Sequence, residues 1–304
     1  MRNNPDGVFA MSYTIQSICL CDTGKYRERN QDNFYFNGKV LPVTNNGLQR
    51  PLFSVISTDN RHLYSVFDGM GGEAYGEVAA SVAAKNTVGF FKAQKKSTLD
   101  SRSLLIELAK ELNEAVANAA IDRGGRLIGT TQAAVLFDGD DAWISNTGDS
   151  PVFLFRGGNL EKLSLDDTQY IPESDGVKRR KPALTQFLGL AIDQIEVTPH
   201  VKKLRLASGD RFLICSDGLT DMVPVERIGA TLQEISDVCL CGKALLSAAL
   251  EAGGADNTTI ILCGATENSG NAFTDLKNAF RAKFNLLKGV CFYDQSQKKS
   301  DIHR

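Results

Sequence analysis

One junction recurs in this chain and limits what it can fold into: a short apolar run meets an aspartate beside a residue that lets the backbone turn. "SVFDGMGG" (65–72) carries Asp68, "AWISNTGDS" (142–150) carries Asp149 and "RFLICSDG" (211–218) carries Asp217. Asp256 precedes "NTTIIL" (257–262), and Asp32 precedes "NFYF" (33–36). Runs rich in Val, Ile, Phe, Tyr and Thr, bounded by Gly, Ser or Asn, read as β-strands. Their acids therefore sit at sheet edges. Taken singly, each is an ordinary turn former or helix cap; the set carries more. Aspartate is seldom buried unless paired or bound to a cation. Carboxylates that converge repel one another, and without a counterion some must keep their protons. A hard divalent cation resolves that conflict, and oxygen-only donors select Mg²⁺ or Mn²⁺ over zinc. His62, His200 and His303 are the only histidines and are too widely spaced to build a local zinc site. Gly69, Gly71 and Gly72, without Cβ atoms, let backbone approach a metal closely, so that the Gly69 carbonyl can become a ligand.

Around these junctions the chain alternates between strand and helix signals. "TIQSICL" (14–20), "DNFYF" (32–36) and "HLYSVF" (62–67) read as strands, and the polar, turn-rich stretch 37–62 as a hairpin or loop insertion. Val78, Ala79, Val82 and Ala83 give one apolar helical face. Leu104, Leu105, Leu108, Leu112, Ala115, Val116 and Ala119 give another within 103–123. Four strand-like runs follow at 131–137, 142–145, 152–156 and 159–164, joined by short turns as a β-meander. "DRFLICS" (210–216) and "TTIILCG" (258–264) bracket a helical stretch in which Pro224 suits a first turn and "KALLSAALEA" (243–252) is amphipathic. Asp138, Asp140, Asp141, Asp166 and Asp167 read as turn or surface acids. Residues 1–12 read as a flexible segment. Residues 266–304 read as a partly helical extension in which Phe273, Leu276, Phe280, Phe284 and Leu287 share one face.

Composition excludes several classes. The 304 residues carry a net charge of −2, and 42% are hydrophobic. Such a chain has no basic excess for nucleic acid and no polybasic block for anionic lipid. No apolar run approaches the ~20 residues of a membrane span, and the N-terminus lacks a signal-peptide core. Seven cysteines without a C-x-x-C pair, several in apolar runs, point to reduced thiols in a cytoplasmic protein. No G-x-S-x-G or P-loop sequence offers a protein nucleophile or phosphate loop.

In order along residues 13–265, "RERNQD", "VFDGMGGEAYGEVAA", "GTTQAAVLF", "ISNTGDSPVFLF", "LICSDGLTDMV" and "GADNTTIIL" resemble the successive motifs of the metal-dependent protein phosphatases, the protein phosphatase 2C-like (PPM) family. "DGMGG" is similar to the bacterial members. The resemblance implies an α+β fold, a four-layer α-β-β-α sandwich of two antiparallel sheets flanked by helices. It implies two Mn²⁺ or Mg²⁺ ions at one end of the sandwich. Asp68 would bridge them and the Gly69 carbonyl would bind one. Asp217 and Asp256 would hold one ion, and Asp32 would support the other. Asp149 and Asp221 match positions that help bind a third, weaker ion. Arg27 would bind the substrate phosphate; Arg29, two residues on, faces the other way if this stretch is extended. The implied activity is that of a serine/threonine protein phosphatase in bacterial signalling, a hydrolase using a metal-activated bridging water or hydroxide on phosphoproteins and opposing a Ser/Thr kinase. The alternatives are a non-catalytic phosphoprotein-binding scaffold of the same fold and a hydrolase of small phosphoesters. Departures from the family pattern are Gln31 for the common Glu, Met70 where animal members have His, a short flap at about 165–189, "SLDDTQ" (164–169) for an Asp-His-Ser type sequence, and Gln186 near a usual Arg.

Overall fold

The fold follows from strands that are apolar on both faces. In this computed structural model, residues 12–70, 75–94, 98–122, 124, 127–170, 182–191 and 196–268 are described. Along β4 (His62–Met70), Tyr64 and Val66 point one way, and Leu63 and Phe67 the other; all four are buried. The same alternation holds in β1 (Tyr13–Asp22), β6 (Gln132–Asp138), β13 (Arg211–Cys215) and β14 (Thr258–Glu267). Successive side chains of a strand point to opposite faces, so a strand apolar throughout must be covered twice.

Two antiparallel sheets satisfy that demand. One runs β3 (Leu52–Ser57), β1, β14, β13, β8 (Val152–Arg156), β9 (Asn159–Lys162). The other runs β12 (His200–Arg205), β7 (Asp141–Thr147), β6, β4, β2 (Asp32–Phe36), with β5 (Gly129–Thr130) paired to the end of β4. A two-residue ladder, β10 (Thr168–Gln169) with β11 (Ala183–Leu184), stands apart from both. Between the sheets lie Ile15, Phe34, Tyr64, Val135, Phe137, Phe212 and Ile261. Phe137 meets Phe212 edge-on across that gap, at 5.4 Å between centroids. Helices α1 (Gly76–Ala93) and α2 (Ser101–Ile121) cover the outer face of the second sheet through Ala80, Ala83, Leu105, Leu108 and Leu112. The short α3 (Asp217–Thr220), with α4 (Val225–Glu234) and α5 (Val238–Glu251), covers the first through Leu219, Ile228, Leu232 and Leu245. The layers are therefore α-β-β-α.

Three sequence expectations are corrected. The stretch 37–62 is not merely a loop: Leu52–Ser57 forms β3, an edge strand paired with β1. The four strands after α2 are not one meander. β6 and β7 lie in one sheet and β8 and β9 in the other, because the chain crosses at Gly148 (φ +95°) through Pro151. Local alternation predicts strands but not which sheet each joins. Asp167 is no surface acid: only 10% of its side chain is exposed, whereas Asp166 is a solvated partner of Lys162. The apolar face proposed for 273–287, the N-terminal residues before 12 and residues 171–181 of the flap lie outside the described residues. Among the described residues, Cys19, Cys21, Cys215, Cys239, Cys241 and Cys263 are all buried. No described helix is long and apolar enough to cross a membrane.

Candidate metal centre

Strand direction brings the acids together. The end of β1, the start of β2, the end of β4, the end of β7, the end of β13 and the start of β14 all lie at one rim of the sandwich. Asp32 and Asp68 are directly opposed in the β2–β4 ladder. Asp217 opens α3 just past β13, and Asp256 precedes β14, the strand that β13 pairs with.

The consequence is electrostatic. Asp32 is 2% exposed. Burial above all pushes its pKa up to about 7; the Ser216 and Thr259 hydroxyls oppose that shift, and Asp217 and Asp256 add to it. Burial likewise holds Asp68 well above the usual carboxylate range, followed by the charges of Asp32, Asp217, Asp149 and Asp256. Five carboxylates thus crowd one rim, and no neutral pH suits all of them ionised without a cation. Arg27 answers part of the charge. Its guanidinium donates to Asp256 Oδ2 at 2.7 Å and also feels Asp68 and Asp217. Arg29 turns away and donates to Glu77 of α1 at 3.0 Å. Asp221 caps α3 and is exposed.

Supporting residues fix the acids. The Asp68 backbone is gripped by the "GTT" segment: its N–H donates to Thr131 Oγ1, and its carbonyl accepts from the Thr131 N–H and the Thr130 hydroxyl. Thr131 Oγ1 lies 2.6 Å from Ser150 Oγ, tying that segment to the turn bearing Asp149. Asp32 Oδ2 accepts from Ser216 and Thr259, both at 2.7 Å. Asn257 holds the loop bearing Arg27: its amide donates to the carbonyls of Thr23 and Arg29, and its Oδ1 accepts from the Gln31 N–H. Sequence reasoning quoted these hydroxyls and Asn257 as motif letters or turn formers and gave none of them a role. Ser150, Ser216 and Asn257 adjoin an acid in the sequence; Thr130, Thr131 and Thr259 carry no such signal.

Backbone crowding marks the rim as well. A Cβ on Gly69 would lie 2.1 Å from the Gly76 carbonyl oxygen and 2.5 Å from that of Gln31. A Cβ on Gly218 would lie 2.0 Å from the Asn257 carbonyl oxygen. Only glycine lets these segments close around the acids. Among the described residues, no three His, Cys, Asp or Glu side chains are grouped so that they could hold a metal ion as they stand. Asp256 is engaged by Arg27, and Asp32 by two hydroxyls. The donor set itself, carboxylates and carbonyls without imidazole or thiolate, suits Mg²⁺ or Mn²⁺.

A family model described as protein phosphatase 2C matches residues 52–251. The serine/threonine protein phosphatase PstP of Mycobacterium tuberculosis is 28% identical over 268 residues, 84% of this chain and 46% of that protein. The chain thus spans about half the length of this curated relative. Protein phosphatase PhpP of Streptococcus pneumoniae is 28% identical over 262 residues, 82% of this chain and 96% of its own. A crystal structure of the PstP catalytic domain in complex with two manganese ions superposes with a TM-score of 0.63 at 26% identity, covering 84% of this chain and 99% of that one.

Proposed function

Because the chain belongs to the protein phosphatase 2C family, we propose that it hydrolyses phosphoserine and phosphothreonine esters in proteins with bound Mn²⁺ or Mg²⁺. The observation that carries this reading is the convergence of Asp32, Asp68, Asp217 and Asp256 on one rim beside Arg27. Asp68, the Gly69 carbonyl, Asp217, Asp256 and Asp32 would hold two ions, with Asp149 and Asp221 available to a third. Bound there, the ions would supply positive charge to the phosphoryl oxygens and lower the pKa of an attacking water. The manganese in the PstP catalytic domain supports that choice of metal.

The chain's own residues do the rest. Arg27 orients the substrate. Its fork rests on Asp256 in this structure; once cations neutralise Asp256, it is free to hold two phosphate oxygens. Ser216 and Thr259 keep Asp32 turned inward, and Thr130 and Thr131 fix the strand end that presents Asp68. No side chain is assigned as general acid, since Met70 stands where a histidine could donate, so the leaving alkoxide takes its proton from water. The substrates are phosphoproteins in the cytoplasm, and the opposing enzyme is a Ser/Thr kinase. Turnover of p-nitrophenyl phosphate and a phosphothreonine peptide tests the proposal. Mn²⁺-dependent hydrolysis that EDTA and Asp217→Ala both abolish is expected. A folded wild-type protein that binds the phosphopeptide but never turns it over would sink it.

A further inference from the structure

The flap region departs most from the family pattern, and within it one buried carboxylate gathers an unusual number of partners. Asp167 Oδ2 accepts from the backbone N–H of Gly148 at 2.9 Å and from Gln186 Nε2 at 3.1 Å. Its Oδ1 lies 2.8 Å from His200 Nε2. An ionised carboxylate only accepts, so that imidazole nitrogen carries the hydrogen. The backbone of Asp167 repeats the tie: its N–H donates to the Gly148 carbonyl, and its own carbonyl accepts from the Thr185 N–H. Gln186 is itself held twice by Thr198, through its Oε1 from the Thr198 N–H at 2.6 Å and through its Nε2 to the Thr198 carbonyl at 3.0 Å.

Four segments meet here. Gly148 belongs to the turn that carries Asp149 from one sheet to the other. Thr185 and Gln186 follow β11, the returning foot of the flap. Asp167 adjoins β10, the outgoing foot, and His200 opens the edge strand β12. The side chain of Asp167 is 10% exposed and that of His200 39% exposed. A charged side chain shielded to that degree is retained only with its hydrogen bonds made.

We propose that Asp167 is a positioning residue: it clasps both feet of the flap to the Gly148–Asp149 turn and so sets the rim over which a phosphopeptide must lie. This rests on the phosphatase reading for its consequence but not for its geometry. Gln186 and Asp167 stand at two of the places where the sequence departs from the family pattern, and here they satisfy each other. The clasp touches none of Asp32, Asp68, Asp217 and Asp256, so its loss leaves the core acids in place. It loosens instead the segments that a long substrate meets and a small one does not.

Amide hydrogen exchange on the cation-free protein reads the clasp directly. In Asp167→Ala, amides in 146–150 and 183–188 should exchange about tenfold faster than in the wild type, the loss of roughly one charge-assisted hydrogen bond, while β1 and β14 stay protected. Asp167→Asn keeps an acceptor for Gly148 and should recover part of the protection. In steady-state assays with Mn²⁺, Asp167→Ala should raise KM for a phosphothreonine peptide about tenfold while KM for p-nitrophenyl phosphate changes less than about twofold. Wild-type exchange rates at 146–150 in the alanine variant would overturn the proposal. So would equal losses on both substrates together with faster exchange throughout the sheets, which is general destabilisation. A wild-type protein inactive on both substrates would reject the phosphatase reading, and the exchange experiment would still decide the clasp.

Discussion

Replacing Asp32 with asparagine isolates the charge conflict that the rim carries without cations. Asp32 is buried, and its pKa stands at about 7 in the folded protein, against about 3.9 in an unfolded chain. Between about pH 4 and 7, the folded state holds a proton that the unfolded state has released. Stability therefore falls as pH rises through that window and levels off above it. About three pH units at about 1.4 kcal/mol each set a ceiling near 4 kcal/mol. Protons shared with Asp68 lower that figure, and about 2–4 kcal/mol is the expected range. Asparagine removes the charge, keeps the shape and leaves an oxygen to accept from Ser216 or Thr259. In EDTA at pH 8, the variant should melt at least about 4 °C above the wild type, and the gap should close by pH 4. Saturating Mn²⁺ should reverse the order, because only the wild type gains the cation's full binding free energy. Scanning calorimetry at both pH values, with and without Mn²⁺, measures all of this. An asparagine variant less stable than the wild type at pH 8 in EDTA, or a gap independent of pH, would refute the reasoning.

Gly69→Ala forces a methyl within 2.1 Å of a carbonyl oxygen; it should lose both several degrees of melting temperature and the stabilisation by Mn²⁺. Gly89→Ala, in α1 with open space around the added carbon, should be neutral or stabilising by up to about 1 kcal/mol. Equal behaviour of the two in thermal melts would contradict the close approach at the rim. Arg156→Met strips two hydrogen bonds from Asp210, whose side chain is 1% exposed. An uncompensated buried charge should cost about 3 kcal/mol in urea unfolding, and a loss below about 1 kcal/mol would mean that Asp210 finds water.

The layered architecture was legible because both kinds of periodicity are strong. DNFYF forms β2 over the residues its pattern marks, and the leucine spacing of 103–123 becomes the buried face of α2. Partner choice was illegible. Leu52–Ser57 has only one residue in six fully buried, so no clean alternation separates it from loop. β12 carries the exposed charges Lys202, Lys203 and Arg205 and became visible as a strand only through its ladder with β7. Such edge strands take their conformation from a neighbour distant in sequence, which is information that a local window lacks.

The site divides along the same line. Asp68, Asp217 and Asp256 stood out because a carboxylate at the mouth of an apolar strand is costly wherever it is not needed. The residues that make those carboxylates tolerable did not stand out, since a threonine in a strand or an asparagine in a turn is what ordinary propensity supplies. Thr131, Ser216, Thr259 and Asn257 differ from such residues only in what they face. Asp167 shows the reverse error: an acid in a run of turn residues looks solvated until Gly148, Gln186 and His200 arrive from three other segments. The ionic content of a rim can therefore be read from sequence. The hydrogen bonds that aim it must be read from the fold, because each one joins residues whose separation along the chain carries no signal.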